Sequence, residues 1–144
     1  MPSRSLCACT QRRGLDRYSG KRVLVLGAEP IGTILALIAR SAGAGFVAVG
    51  DRIDEPLRRT ADLGVDETIN VATEADRLAG HAEGKGTFDI VFEASGSAEA
   101  TISALDVVKP RGTIVCVGHG RTARDQHVND RDQGDQRDRR LPLR

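Results

Sequence analysis

Residues 21–32 read KRVLVLGAEPIG, an apolar run followed by a turn that contains Gly27 and Gly32. A continuous apolar run bounded by glycine is typical of a parallel strand that is buried on both faces. Residues 30–42 continue with helical periodicity. Their apolar positions at core-facing spacing are Ile31, Ile34, Leu35 and Ile38. The stretch therefore predicts a buried strand, a tight turn and a helix that packs against a sheet through these four side chains.

The alternation of strand and helix continues to residue 118. Four further strands are predicted, with the sequences FVAVGD (46–51), VDETIN (65–70), FDIVFEAS (88–95) and GTIVCVG (112–118). Helices are predicted between them, over about 54–63, 74–82 and 97–108. We expect Asp54 and Ser97 to cap two of these helices and Cys116 to be a small core residue. The sequence predicts an α/β fold, a doubly wound parallel sheet of about five strands.

Composition divides the chain into three zones. Residues 1–20 form an irregular, Arg-rich lead, residues 21–118 form the α/β domain, and residues 119–144 form a charged tail. The tail has almost no apolar residue before Leu141, so it cannot bury enough surface to offset chain entropy. We therefore expect disordered ends around an ordered domain.

The overall charge excludes some classes of partner. The chain has 21 Lys+Arg against 20 Asp+Glu, so no basic field favours nucleic acid. Arginines and aspartates alternate along the tail, which ranks a tail-driven nucleic-acid binder last among the functions considered. No apolar stretch is long enough to span a bilayer, and the N-terminus lacks the apolar core of a secretory signal. We expect a cytoplasmic protein without a membrane partner.

The turn after the first strand and the acid after the second indicate a nucleotide site. Ligands of open α/β sheets bind beyond the carboxyl ends of the strands. A glycine turn that leads into a helix offers free N–H groups and a positive dipole end to a pyrophosphate. Asp51 lies roughly 20 residues further on, where an acid accepts from ribose hydroxyls and repels the 2′-phosphate of NADP. NAD is favoured over NADP, although Arg52 would soften the repulsion.

Two observations act against this interpretation. Glycine turns between strand and helix are common, and Asp51 can also be a solvated strand end without a ligand. Glu29 occupies the second glycine position of the fingerprint, where a bare backbone normally approaches the pyrophosphate. Unless its side chain turns outward, we expect Glu29 to weaken binding.

Taken together, KRVLVLGAEPIG, VAVGDRIDEPLRRTADLGVDETIN, FDIVFEASGS and VKPRGTIVCVG resemble the cofactor domain of medium-chain, zinc-dependent alcohol and polyol dehydrogenases. The resemblance covers about residues 20–120 and is strongest for the sorbitol, idonate and threonine dehydrogenase branch. It implies a Rossmann-type domain that binds NAD. The cofactor-binding residues that it implies are Gly27, Glu29, Pro30, Ile31, Gly32, Asp51, Arg52, Ser95, Gly96, Val117 and Gly118. The family often has a basic residue five positions after the acid, where this chain has Pro56.

The resemblance also implies chemistry for which this sequence carries no residues. The family transfers hydride between a secondary alcohol and NAD, with a zinc ion held by Cys, His and a carboxylate of a separate domain. We identify no catalytic residue and no metal ligand here, and expect the isolated chain to be non-catalytic. The alternative function is a stand-alone nucleotide-binding or interaction module without chemistry.

Both ends resemble the family in other reading frames. Residues 7–14, read from the third base of each codon, permit a segment like the one that leads into this domain in the family. Residues 129–133, read from the second base, permit a segment like the family's continuation after the fifth strand. We expect a frameshifted fragment whose sheet is incomplete. We expect its exposed apolar edge after the fifth strand to cause marginal stability or self-association.

Overall fold

Strands and helices alternate strictly along residues 17–118, the part of the chain that the computed structural model describes. The strands are β1 Arg22–Leu26, β2 Phe46–Asp51, β3 Glu67–Asn70, β4 Phe88–Glu93 and β5 Val108–Cys116. The helices are α1 Pro30–Ser41, α2 Asp54–Asp62, α3 Ala75–Gly80 and α4 Ala98–Val107. The tail predicted to be disordered and the first 16 residues of the lead lie outside the described residues.

The sheet confirms the predicted α/β, doubly wound architecture. Its strand order is β3-β2-β1-β4-β5, and all four pairings are parallel. Helices α1 and α2 pack on one face, and α3 and α4 pack on the other. The chain builds outward from β1 to β3 and then returns to the other side of β1. The strand order therefore reverses between β1 and β4, the point at which ligands bind to such sheets.

The core is aliphatic and lies on both faces of β1. Val23 and Val25 belong to the cluster under α1 and α2, whereas Leu24 and Leu26 belong to the cluster under α3 and α4. All four side chains are buried. Burying each such side chain stabilises the fold by about 1.5–3 kcal/mol before chain entropy is subtracted. This explains why the run that predicted β1 shows no polar alternation.

The predicted core face of α1 is wrong for three of its four residues. Ile31, Ile34 and Ile38 are 60%, 55% and 50% exposed, and only Leu35 packs against the core. The buried residues of the helix are instead Gly32, Ala36 and Ala39. These small side chains let α1 lie so close to the sheet that isoleucines do not fit beneath it.

Strand β5 differs from its prediction in two ways. It begins at Val108, directly after α4, and the predicted turn at Pro110 is a bulge within the strand, where Arg111 has φ 65°. The pairing with β4 accordingly shifts between Phe88 and Ile90. Cys116 is exposed rather than a core residue, because β5 is the last strand of the described sheet.

One of the two predicted helix caps is confirmed. Ser97 Oγ accepts a hydrogen bond from the Ala100 N–H at 3.1 Å and caps α4. The prediction for Asp54 is wrong, because the capping position of α2 is Ile53 and its side chain forms no cap. Asp54 lies in the first turn, and its Oδ1 accepts from Asn70 Nδ2 at 2.5 Å. Its carboxylate thus joins α2 to the end of β3.

Two aspartates accept hydrogen bonds from the backbone at the amino ends of the central strands β1 and β2. Asp66 accepts from the Val47 N–H at 2.8 Å and from Arg40 at 2.7 Å. Asp89 accepts from the Arg22 N–H at 2.9 Å. Burial raises the pKa of both carboxyl groups, but these hydrogen bonds and the neighbouring basic side chains outweigh it, and the pKa of each is lowered. Both residues therefore stabilise the fold as carboxylates.

Within residues 17–118, no helix covers β4 and β5 on the face of the sheet that carries α1. A groove of about 600 Å³ runs over β4 and β5, and its apolar lining comes from Tyr18, Ile90, Phe92 and Val115.

None of the four helices within residues 17–118 has both the length and the hydrophobicity that a membrane span needs.

Candidate functional site

A cleft of about 920 Å³ opens at the carboxyl edge of the sheet, beside the reversal of strand order. Its walls come from the ends of β1, β2 and β3 and from helices α3 and α4. Five of the sequence-predicted residues line it, namely Gly27, Glu29, Asp51, Arg52 and Ser95. The structure thus brings the glycine turn, the acid after β2 and the segment after β4 into one cavity.

The turn between β1 and α1 requires glycine at two positions. Gly27 has φ 109°, and a Cβ there would lie 2.9 Å from the Ser95 nitrogen. A Cβ on Gly32 would lie 1.7 Å from the carbonyl oxygen of Gly27. The backbone therefore closes on itself at this turn, and α1 starts directly above the end of β1.

The N-terminus of α1 presents unused donors. The N–H groups of Ile31 and Gly32 make no hydrogen bond to the described residues, and Pro30 has no N–H. These donors stand at the positive end of a helix of 12 residues. Such an end binds phosphate groups readily.

Glu29 stands at the same helix end. Its backbone adopts φ −66° and ψ 172°, which any residue tolerates, and its exposed side chain makes no capping hydrogen bond. The side chain lines the cleft. A carboxylate is therefore present beside the donors that would bind an anion.

Asp51 is more than a solvated strand end. Its Oδ2 accepts from the Ala28 N–H at 2.6 Å, and its Oδ1 accepts from the Ile53 N–H at 2.9 Å. It thereby ties the glycine turn to the start of α2. Each carboxylate oxygen has a second lone pair that can accept from a hydroxyl in the cleft.

Arg52 and Glu99 place opposite charges along the cleft. The pKa of the Glu99 carboxyl is lowered, first by its own backbone N–H and the Ser97 hydroxyl and then by the charge of Arg52. The cleft therefore carries a basic group near Asp51 as well as acidic ones.

The remaining predicted residues lie beside the cleft rather than in its lining. Gly96, Val117 and Gly118 form the segments after β4 and β5, which touch each other. A Cβ on Gly118 would lie 2.2 Å from the Gly96 nitrogen. Pro30, Ile31 and Gly32 contribute backbone at the helix end, and the Ile31 side chain points into solvent.

Comparison with known proteins agrees with this geometry. Residues 30–137 match the family model described as zinc-binding dehydrogenase. This match covers more than half of the chain. The chain belongs to the zinc-binding dehydrogenase family.

Individual relatives of this zinc-binding dehydrogenase domain include alcohol- and polyol-related enzymes. A putative D-xylulose reductase of Rhizobium meliloti is 41% identical over 96 residues, which are 65% of this chain and 28% of that protein. The crystal structure of L-idonate 5-dehydrogenase from Escherichia coli superposes with a TM-score of 0.67 and 28% identity, covering 77% of this chain and 32% of that one. The structure of a putative zinc-binding dehydrogenase from Sinorhizobium meliloti bound to NADP superposes with a TM-score of 0.64 and 28% identity, covering 77% of this chain and 34% of that one. The chain spans about a third or less of the length of these proteins.

The described residues do not fit a zinc ion. Between residues 17 and 118, no three or more His, Cys, Asp or Glu side chains are grouped to hold a metal. A zinc site requires about four such ligands at close range. We therefore assign no catalytic step to a metal in this part of the zinc-binding dehydrogenase domain.

Sequence reasoning missed one charged residue at this edge. Glu93, the last residue of β4, is only 2% exposed, and its Oε1 accepts from the Ser95 N–H at 2.8 Å, the Ser95 hydroxyl at 2.7 Å and the Gly96 N–H at 2.8 Å. The acid that ends β4, two residues before a Ser-Gly pair, is the sequence feature that indicates this role.

Proposed function

We propose that this zinc-binding dehydrogenase domain binds a nicotinamide dinucleotide. The pyrophosphate would accept from the free N–H groups of Ile31 and Gly32, and the adenosine ribose would donate to Asp51. The observation that carries the proposal is that this carboxylate lines one cleft, at the reversal of strand order, and that these donors lie directly beside it. The solved neighbour that holds NADP supports it.

We further propose that NAD is preferred over NADP. Asp51 accepts from two backbone N–H groups, so its carboxylate is fixed in the cleft. In the proposed binding mode, a 2′-phosphate would lie beside this carboxylate. Two like charges at such range disfavour binding. Arg52 is exposed at the rim and offsets only part of this repulsion.

Isothermal titration with NAD and NADP tests both statements. We expect NAD to bind about tenfold more tightly, a difference of about 1.4 kcal/mol. Asp51→Asn removes the charge and should bring the two affinities together, whereas Asp62→Asn at the end of α2 should leave the ratio unchanged. Equal or tighter binding of NADP by the parent chain contradicts the preference, and binding of neither cofactor contradicts the function.

We also propose that the domain serves an alcohol or polyol dehydrogenase, which transfers hydride between a secondary alcohol and NAD. When bound, the nicotinamide ring supplies the hydride acceptor. This chain's residues would hold and orient that cofactor through the α1 donors, Asp51 and the segments after β4 and β5. The polyol-related relatives support this role.

Finally, we propose that two copies of the chain associate through β5. This strand pairs only with β4 in the described sheet, and the neighbouring groove is lined by the partly buried Ile90 and the exposed Val115. An unpaired strand edge beside an apolar face is a template for pairing with a second chain.

Val115→Lys should abolish this association. A charged side chain on an edge strand opposes pairing, and Val115 is already 37% exposed, so the monomer should tolerate it. Leu63→Lys is the matched control, because Leu63 is 47% exposed at the end of α2. Light scattering after size exclusion should show dimers for the parent and the control and monomers for Val115→Lys. A monomeric parent at high concentration would refute the proposal.

A further inference from the structure

Glu93 is a buried carboxylate without a basic partner. Its side chain is 2% exposed, and no Lys, Arg or His among residues 17–118 forms an ion pair with it. Burying a charge without hydrogen bonds costs several kcal/mol. The Glu93 side chain therefore needs hydrogen-bond donors around its carboxylate.

The segment after β4 supplies the hydrogen bonds to the side chain. Both backbone N–H groups at Ser95 and Gly96 and the Ser95 hydroxyl point at one oxygen, Oε1, at 2.7–2.8 Å. Charge-assisted hydrogen bonds are about twice as strong as neutral ones. The carboxylate therefore fixes the path of the chain as it leaves β4.

The segment after β5 is held by the same residue through its main chain. The carbonyl oxygen of Glu93 accepts from the N–H groups of Val117 and Gly118 at 2.8 and 2.9 Å. Five hydrogen bonds thus converge on Glu93. The two segments are in contact, since a Cβ on Gly118 would lie 2.2 Å from the Gly96 nitrogen.

The glycine turn after β1 contacts the segment after β4. A Cβ on Gly27 would lie 2.9 Å from the Ser95 nitrogen, and the Ala94 N–H donates to the Leu26 carbonyl at 2.8 Å. A displacement at Ser95 would therefore reach the turn that precedes α1. Three of the chain segments at the proposed cofactor cleft therefore meet at Glu93 and the segment that its carboxylate holds.

We infer that Glu93 is a positioning residue for the dinucleotide, a role that rests on the proposed function. It touches no bound group itself. Its carboxylate sets the segment after β4, which contacts both the turn after β1 and the segment after β5, in the arrangement that receives the cofactor. Its charge matters because a neutral acceptor binds the same three donors less strongly.

Two variants of the full chain test this inference. Glu93→Ala removes the acceptor, and Glu93→Gln keeps an oxygen but removes the charge, while Glu55→Gln on exposed α2 serves as the control. Glu93→Ala should lower NAD affinity by about tenfold or more, as expected when several charge-assisted hydrogen bonds are lost. Glu93→Gln, which keeps an acceptor oxygen but not the charge, should recover only part of the lost affinity, and the control should match the parent.

Amide hydrogen exchange separates positioning from general destabilisation. In Glu93→Ala, exchange at the Ser95 and Gly96 amides should become about tenfold faster or more, because their acceptor is the lost carboxylate, while core amides of β1 and β2 keep the parent rate. Uniformly faster exchange would mean a merely structural role, and faster local exchange with parent-like NAD affinity would overturn the inference. Failure of the parent chain to bind NAD would refute the proposed function, whereas unchanged exchange in Glu93→Ala would refute the positioning role independently of any cofactor.

Discussion

Replacing Glu29 with glycine is expected to raise the affinity for NAD by about tenfold. Glu29 lines the cleft beside the unused N–H donors of Ile31 and Gly32. Its exposed carboxylate therefore lies at the same helix end as the doubly charged pyrophosphate of the proposed binding mode. Removing one like charge at an exposed site is worth about 1–2 kcal/mol against a double charge, and tenfold in affinity corresponds to about 1.4 kcal/mol. Glycine also bares the backbone for close approach.

A charge-only variant separates the two causes. Glu29→Gln keeps the length of the side chain and removes the charge, so a gain seen with glutamine measures repulsion and a further gain with glycine measures bulk. Glycine is an acceptable residue at a helix N-terminus, so the helix itself should lose little. The advantage of both variants should shrink at high salt, because screening weakens the repulsion in the parent chain. If neither variant binds NAD more tightly than the parent, Glu29 is not an obstacle.

The sequence predicted the strands better than it predicted which face of a helix is buried. Strands β1 and β2 were recognisable because parallel strands covered on both sides are apolar throughout. In α1, periodicity correctly grouped Ile31, Ile34 and Ile38 on one side, but it did not show that this side faces solvent. The sheet selects the side of Gly32 and Ala36, because close approach of the helix favours small residues over large ones.

Contacts between distant segments account for the other differences. The exposure of Cys116 follows from the edge position of β5, which depends on strand order and not on local sequence. Similarly, the hydrogen bond from the Ala28 N–H to Asp51 joins residues 23 positions apart. Motif spacing placed Asp51 at the cleft, and only the folded backbone shows that it also holds the turn.

The largest loss of stability is expected for Gly32→Ala. The new methyl group would lie 1.7 Å from the carbonyl oxygen of Gly27, 2.9 Å from its carbonyl carbon and 3.3 Å from a methyl of Val25. The nearest atoms belong to the backbone, so no side-chain rotation relieves the clash, and α1 must move away from β1. We expect the free energy of unfolding to fall by about 3 kcal/mol or more, at the upper end of the cost of overpacking.

Gly80→Ala is the matched control for that experiment, because it makes the same substitution in a helix where nothing lies within 4 Å of the new methyl group. Alanine is the better helix former, so urea denaturation should show this variant to be as stable as the parent or slightly more stable. Gly32→Ala should unfold at much lower urea concentration, and any fraction that folds should bind NAD poorly, since the Gly32 N–H is one of the proposed pyrophosphate donors. A Gly32→Ala variant within about 1 kcal/mol of the parent would mean that α1 can shift without cost. In that case, close packing of the start of α1 against the end of β1 would not explain why position 32 is glycine.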